Sequence, residues 1–228
     1  MASLRVLTYN VRSMRDDRGA LGRVIRSAEP DVVLIQESPR FAHWRSLCAQ
    51  LARVSNLVVV GGGRPAGSNL ILSTLGVDVI STADVLFSKD RHLHQRGTAI
   101  AVLNRQGRRF AVAGTHLDLN AAARLRHVGE LDAAITAHVP RGVPTLVGGD
   151  MNDRPGSAVW TALATRRPDT FTTAGTGDGL TFPARQPRQT IDGIFADPNF
   201  SVRSARVLDL PDVLVASDHR PLLAELEL

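Results

Sequence analysis

Nine polar residues in this sequence can do chemistry together: Asn10, Glu37, His116, Asp118, Asp150, Asn152, Asp192, Asp218 and His219. Each stands at or beside the end of a strand-like run. Singly, each has an ordinary structural explanation, since Asn and Asp favour turns, Glu is usually solvated and a lone His is usually a satisfied structural residue. Their recurrence strand after strand is harder to explain that way. Packed strands bring their ends together, so the pattern gathers several carboxylates into a small volume, where they repel one another unless a cation compensates. Oxygen donors without a Cys/His zinc spacing select a hard ion, Mg2+ or Mn2+, which keeps coordination sites for a phosphate oxygen.

The centre of the pattern is Val143-Pro144-Thr145-Leu146-Val147-Gly148-Gly149-Asp150-Met151-Asn152-Asp153. A buried strand ends in two glycines and a tight turn. Spaced i and i+2, Asp150 and Asn152 can aim a carboxylate and an amide at one ligand. The chemistry that suits this pair is hydrolysis of a phosphate ester held by Mg2+.

The elements that must position these groups follow from the apolar pattern. Strands are expected at Leu4–Asn10, Val32–Ile35, Leu57–Val60, Leu70–Ser73, Val77–Ala83, Thr98–Leu103 and Phe110–Thr115, and again at Thr190–Phe195, Val202–Leu208 and Leu222–Leu226. Leu21, Val24, Ile25 and Ala28 fall on one helical stripe that Pro30 stops. Phe41, Trp44, Leu47, Cys48 and Leu51 mark a second helix. Leu125, Val128, Leu131 and Ile135 stripe a third over Ala121–Ala137, and Ser157 caps a short helix to Leu163. Gly61–Ser68 is expected to be a plain loop, because a Walker A loop needs Lys and Ser/Thr directly after its last glycine and Gly67 is followed by Ser68-Asn69. His92 and His94 sit between Arg91 and Arg96, which disfavours a cation and leaves surface or substrate contact as their role. The stretch 166–188, rich in Thr, Gly, Pro and Arg, is expected to be a long surface excursion. Many strands with a few interposed helices make a mixed α/β or α+β domain.

Composition narrows the class. At 228 residues with 43% hydrophobic content, the chain can bury one sizeable core, and no linker divides it, so a single domain over 1–228 is expected. No apolar run approaches the roughly 20 residues of a membrane helix. The N-terminus lacks a signal-peptide core, and Cys48 is the single cysteine, which excludes an internal disulfide and suits the cytoplasm. The net charge of +5 favours an anionic partner. Lys89 is the only lysine, so that charge is carried by scattered arginines.

Six short motifs, running in order from residue 4 to residue 226, resemble those of the endonuclease/exonuclease/phosphatase superfamily, the DNase I-like fold. They are Thr8-Tyr9-Asn10-Val11-Arg12, Gln36-Glu37, Gly114-Thr115-His116-Leu117-Asp118, Gly148-Gly149-Asp150-Met151-Asn152, Ile191-Asp192-Gly193-Ile194 and Ser217-Asp218-His219-Arg220-Pro221-Leu222. The resemblance implies an α+β fold, a four-layer α/β/β/α sandwich of two packed mixed sheets flanked by helices, with a metal-dependent phosphoesterase site at one end. By the same resemblance Glu37 is the main ligand of Mg2+ or Mn2+, assisted by Asn10 and Asp218. Asp150 activates the attacking water, Asn152 and His116 contact the phosphate, and His219, oriented and kept protonated by Asp192, stabilises its charge. Arg96, Asp118 and Arg124 are further expected substrate contacts.

DNA-repair members usually carry an acid where Arg12 stands, a tyrosine where His116 stands and an aromatic where Gly193 stands. With aromatics at 4%, stacking platforms for bases are expected to be scarce. Thr181-Phe182-Pro183-Ala184 is more like small generic bacterial members. The expectation is therefore a cytoplasmic, monomeric phosphoesterase without a membrane partner. A phosphodiester such as nucleic acid or a nucleotide stands slightly ahead of a phosphomonoester of a small metabolite, and a non-catalytic anion-binding domain on the same fold stands last. A long Arg-lined groove favours the polynucleotide, and a closed pocket near Arg96, Arg124 and 166–188 favours the small ester.

Overall fold

The structure, a computed structural model, describes residues 3–228. In chain order its elements are β1 (Ser3–Asn10), α1 (Arg18–Ser27), β2 (Val32–Gln36), α2 (Trp44–Val54), β3 (Val58–Gly63), β4 (Asn69–Ser73), β5 (Asp78–Leu86), β6 (Gly97–Arg105) and β7 (Arg108–His116). There follow α3 (Ala121–His138), β8 (Thr145–Asp150), α4 (Ala158–Arg166), α5 (Thr170–Ala174), β9 (Gly175–Thr176), β10 (Asp192–Ala196), β11 (Ser201–Val207), α6 (Val213–Ala216) and β12 (Leu222–Glu227).

The strands form two mixed sheets, ordered β3-β4-β2-β1-β12-β11-β9 and β10-β8-β7-β6-β5. They pack face to face. Leu4, Val6, Val32 and Leu34 of the first sheet meet Ala101, Leu103, Val112, Leu146 and Ile194 of the second in one buried layer. The alternate residues face outwards onto helices. Leu7, Tyr9, Val33 and Ile35 cover Leu21, Ile25 and Leu51 of α1 and α2, while Ile100, Ala113, Val147 and Phe195 cover Leu131, Ile135, Val159 and Leu163 of α3 and α4. Four layers result, as the resemblance implied.

Strand parity then places the chemistry. Residues two apart share a face, so Asn10 follows Leu4, Val6 and Thr8 into the gap between the sheets, and Asp150 follows Leu146 and Gly148 there. His116 follows Val112 and Gly114, and Asp192 precedes Ile194. Register brings these ends level: His116 lies opposite Asp150 in the parallel β7–β8 pair, and Asp192 lies opposite Asp150 in the antiparallel β8–β10 pair.

Three local expectations change. β3 runs on through Gly61–Gly63, where Gly63 has φ +89° and a Cβ would strike the Trp44 ring, so the glycines let a strand pass rather than form a loop. Phe41 precedes α2 and is 71% exposed, and Leu125 is 48% exposed, so neither belongs to the buried stripe of its helix. Within 166–188 the chain forms α5 and β9 and buries Thr181 completely, making it part of the body of the protein. His92 and His94 lie in a turn and an irregular segment before β6, both exposed. No helix among the described residues is long and apolar enough to cross a membrane.

Gly148 sets how closely the sheets approach. A Cβ there would lie 2.7 Å from Leu34 Cδ1, too close for a carbon pair. Gly148→Ala is expected to destabilise the chain by about 1–3 kcal/mol through overpacking. In urea unfolding, Leu34→Ala should then cost less in the Gly148→Ala background than in the wild type, because the two positions share one space. Additive costs would contradict this.

Candidate active site

Asp150 is the residue around which the other groups are arranged. Its carboxylate is 2% exposed and is tied to each neighbouring strand end. Oδ2 accepts a bond from Asn10 Nδ2 at 3.0 Å and lies 3.3 Å from His116 Nε2 and 3.7 Å from His219 Nε2. Oδ1 accepts the Asn152 backbone N–H at 3.0 Å, an Asx turn that holds Asn152 at φ +49°. The turn is clamped on both sides, since Met151 N–H donates to the Ile191 carbonyl at 2.7 Å and Leu117 N–H donates to the Asp150 carbonyl at 2.9 Å.

Glu37 lies one residue past β2 with φ +50°, a conformation uncommon for a side-chain-bearing residue. Its backbone is pinned: the Glu37 carbonyl accepts Ser13 N–H at 2.8 Å, and Ser38 N–H donates to the Ser68 carbonyl at 2.9 Å. Its carboxylate accepts Asn10 Nδ2 at 3.3 Å. Asn10 therefore bridges Glu37 and Asp150 with its amide hydrogens, while its oxygen accepts Arg12 N–H at 3.1 Å. Both hydrogens of the Asn152 amide are likewise engaged, with the Leu117 carbonyl and His116 Nε2, each at 3.0 Å. The expected phosphate contact of Asn152 competes with these bonds. As an amide NH2 is a donor, Nε2 of His116 faces it as an acceptor.

The two buried histidines differ in charge. Burial opposes protonation of both. At His116 it prevails over Asp150, aided by Arg96, His219 and His94, and holds the ring down at about 3. At His219 burial is again the largest single influence, but attraction and a hydrogen bond to Asp192, with further attraction to Asp150 and Asp218, overcome it and push the ring up to about 10. The Asp192 Oδ2 to His219 Nδ1 distance is 2.9 Å. Asp192 is itself fixed, because Thr181 Oγ1 accepts its backbone N–H at 3.3 Å and that of Ile191 at 3.2 Å. His219 is steadied by the Phe182 ring, 4.8 Å away between centroids, and by Ser217 Oγ, which donates to the Asn10 carbonyl at 2.7 Å.

A cavity of about 550 Å3 opens over this assembly, and Glu37, Arg96, His116, Asp150, Asn152, Asp218 and His219 all line it. Asn10 and Asp192 stand behind that wall as supports. Arg96 is 9% exposed, with Nε free of any hydrogen-bond partner and 3.9 Å from Asp118 Oδ2. It is a buried cation at the cavity wall, suited to an anion.

Two expected substrate contacts fall elsewhere. Asp118 is buried outside the cavity wall, accepting Asn120 N–H at 2.8 Å and neighbouring Arg96. Arg124 is consumed by Asp153 at 3.2 Å and by the carbonyls of Asp118 and Leu119 at 3.1 and 2.6 Å, so it braces the loop after β7. His94 lines the cavity and His92 does not. Sequence reasoning did not assign roles to Thr181, Phe182 and Ser217. Their available signal was position, since Thr181-Phe182 precedes Ile191-Asp192 and Ser217 begins the last motif.

Two groupings could be considered for a metal. Asp150, Asp192 and His219 bring ligand atoms within 4.8 Å of one another. There, however, His219 is an imidazolium whose Nδ1 faces Asp192, and a metal ligand must be neutral imidazole. The protonated ring already supplies the compensating charge. Glu37 and Asp218 line the cavity with carboxylates, hard oxygen donors of the kind that fits Mg2+ or Mn2+, while the Asn10 oxygen accepts Arg12 N–H behind that wall.

The family model described as "Endonuclease/Exonuclease/phosphatase family" matches residues 7–219. Comparison with curated proteins gave no match. Among solved structures, an endonuclease/exonuclease/phosphatase from Bacteroides vulgatus is 22% identical with a TM-score of 0.83, covering 100% of both chains. A mannosyl-6-phosphatase of Bacteroides thetaiotaomicron is 18% identical with a TM-score of 0.84, covering 99% of this chain and 100% of that one. TDP2 of D. rerio, complexed with single strand DNA product, is 16% identical with a TM-score of 0.75, covering 100% of both.

The charge contrast has a measurable sign. His219 titrates higher in the folded chain than its ordinary 6.5, so its stabilisation is complete below pH 6.5 and is lost as pH rises to about 10. His116 titrates lower, so its contribution is present above 6.5 and is lost as pH falls towards 3. In chelator-treated protein, Asp192→Asn should flatten the alkaline limb of the stability profile and return the His219 NMR titration towards 6.5 while leaving the acid limb in place. An unchanged alkaline limb would refute the assignment.

Proposed function

We propose, from the premise that the chain belongs to the endonuclease/exonuclease/phosphatase family, that it is a divalent-metal-dependent phosphoesterase in which water attacks phosphorus and one P–O ester bond breaks. The observation that carries this reading is the pairing of an acceptor and a charged donor over one cavity: the Asp150 carboxylate lies 3.7 Å from the His219 imidazolium, which Asp192 holds at 2.9 Å.

In this reading Asp150 orients the attacking water and takes its proton. His219 donates from Nε2 to a phosphate oxygen as negative charge builds there, and Asp192 keeps that ring charged and aimed. Arg96 offers further positive charge from the cavity wall. Asn10 acts through others, fixing Glu37 relative to Asp150. Asn152 does the same for His116. Glu37 and Asp218, with the Asn10 oxygen, would hold Mg2+ or Mn2+, which supplies charge neutralisation for the phosphate when bound.

A phosphodiester is favoured as substrate because the cavity is open at its rim and continues into a neighbouring groove lined by arginine. A phosphomonoester of a small metabolite is the second reading, supported by the buried Arg96 and by Phe182, Gln189 and Ile191, which wall the cavity from the 166–188 side and the stretch that follows it.

The test is turnover of bis-p-nitrophenyl phosphate and p-nitrophenyl phosphate with Mg2+ or Mn2+ and with chelator. Asp150→Asn and His219→Ala should each lower the metal-dependent rate by roughly 100- to 10,000-fold without loss of the folded state by circular dichroism. Absence of metal-dependent turnover on either ester, or variants as active as the wild type, would remove the proposal.

A further inference from the structure

The cavity over Asp150 does not end at its arginine rim. A second cavity of about 620 Å3 adjoins it, and Arg40, Gly67 and Ser68 line both. The remaining wall of this groove includes Phe41, Trp44, Arg64 and Leu86, with no carboxylate among its lining residues. Basic and aromatic groups alternate along it. The Arg40 guanidinium lies 5.2 Å from the Phe41 ring centroid, and that of Arg45, which is not part of the groove wall, lies 4.4 Å from the Trp44 centroid. Phe41 is the exposed residue that the apolar pattern had placed in a helix stripe. Its exposure leaves a ring face at the groove. Trp44 is better anchored, resting where Gly63 has no Cβ.

Among the described residues, Arg40, Arg45 and Arg64 stand in no ion pair with a carboxylate. Their charge is free for an anion. Arginines that track a phosphate backbone, interleaved with rings on which bases stack, are the features by which single strands are held without sequence preference. Low total aromatic content does not count against this, because two of the ten rings, Phe41 and Trp44, line this one groove.

Resting on the phosphoesterase reading above, we propose that the substrate is a single-stranded nucleic acid. Its scissile phosphodiester lies over Asp150 and His219, and the adjoining nucleotide lies in the Arg40–Trp44 groove, with its base against Phe41 and its next phosphate near Arg64. One water is consumed: its oxygen bonds to phosphorus, one P–O ester bond breaks, and the departing oxygen takes up a proton. The products are a fragment ending in a phosphomonoester and a fragment ending in a hydroxyl.

The test compares kcat/KM for a single-stranded tetranucleotide, for bis-p-nitrophenyl phosphate and for a hexose phosphate in the wild type, Phe41→Ala and Arg64→Gln. Both substituted residues are exposed and lie outside the hydrolytic cavity. Each variant should raise KM for the tetranucleotide by about tenfold, in keeping with loss of one stacking or phosphate contact, and leave bis-p-nitrophenyl phosphate turnover unchanged. Tetranucleotide kinetics equal to wild type in both variants, or a wild-type preference for the hexose phosphate, would overturn the groove assignment while leaving the phosphoesterase reading standing. Loss of turnover on every ester in the wild type would instead overturn the reading beneath it.

Discussion

The structure depends on keeping a carboxylate charged where water hardly reaches it. Asp150 is buried between two sheets, and an isolated buried carboxylate would be very costly. The fold surrounds it with an amide from β1, a backbone N–H from its own turn, and imidazoles from β7 and the last loop. Every one of those partners comes from a different segment. The carboxylate therefore acts as a constraint on the assembly of the two sheets as well as on chemistry, and the register of β7, β8 and β10 is the register that lets its partners reach it.

A second consequence concerns how one small volume holds two histidines in opposite states. His116 and His219 are both buried and both near Asp150. What separates them is Asp192, which touches only His219. A buried ion pair gains little net stability, because desolvation offsets attraction, but removing one partner strands the other charge at a cost of about 3–5 kcal/mol. Such a pair is thus retained for what it fixes. Here it fixes a proton on one ring, while burial and the Asn152 amide keep the other ring neutral. The arrangement supplies a charged donor beside a neutral acceptor without any difference in residue type.

Much of this was legible in the residues because strand parity and strand ends are local properties. Asn10, Glu37, His116, Asp150, Asp192, Asp218 and His219 could be gathered from their place at strand ends, and the six-motif resemblance supplied their expected roles. What could not be read was which side chains had already spent their hydrogen bonds. Arg124 looked available in sequence but is held by Asp153 and two carbonyls, and Asp118 turns into its own loop. Phe41 matched a helical stripe yet lies before the helix, because the chain enters α2 through His43 in a left-handed conformation at φ +59°. Gly61–Gly63 suggested a loop and proved to be strand, since a side chain at Gly63 would strike a tryptophan from another element and one at Gly62 the Asn69 carbonyl of the neighbouring strand. Each of these depends on a long-range neighbour.

The distribution of rigidity across the site follows from the same geometry. Asn10, His116, Asp150 and Asp192 sit on strands of two packed sheets, where a shift of one side chain disturbs a filled interior; Gly148, with Leu34 already in the space a Cβ would need, shows how little slack remains. Arg40, Phe41, Arg64 and His94 lie on connections between strands and helices, at the rim, where exposure leaves side chains free to differ without disturbing the core. The inner set is therefore fixed by packing, while the rim is free to vary. New residues on the segment between β2 and α2 and on the turns after β3 and before β6 would reshape the cavity rim and leave the buried carboxylate and its neighbours untouched.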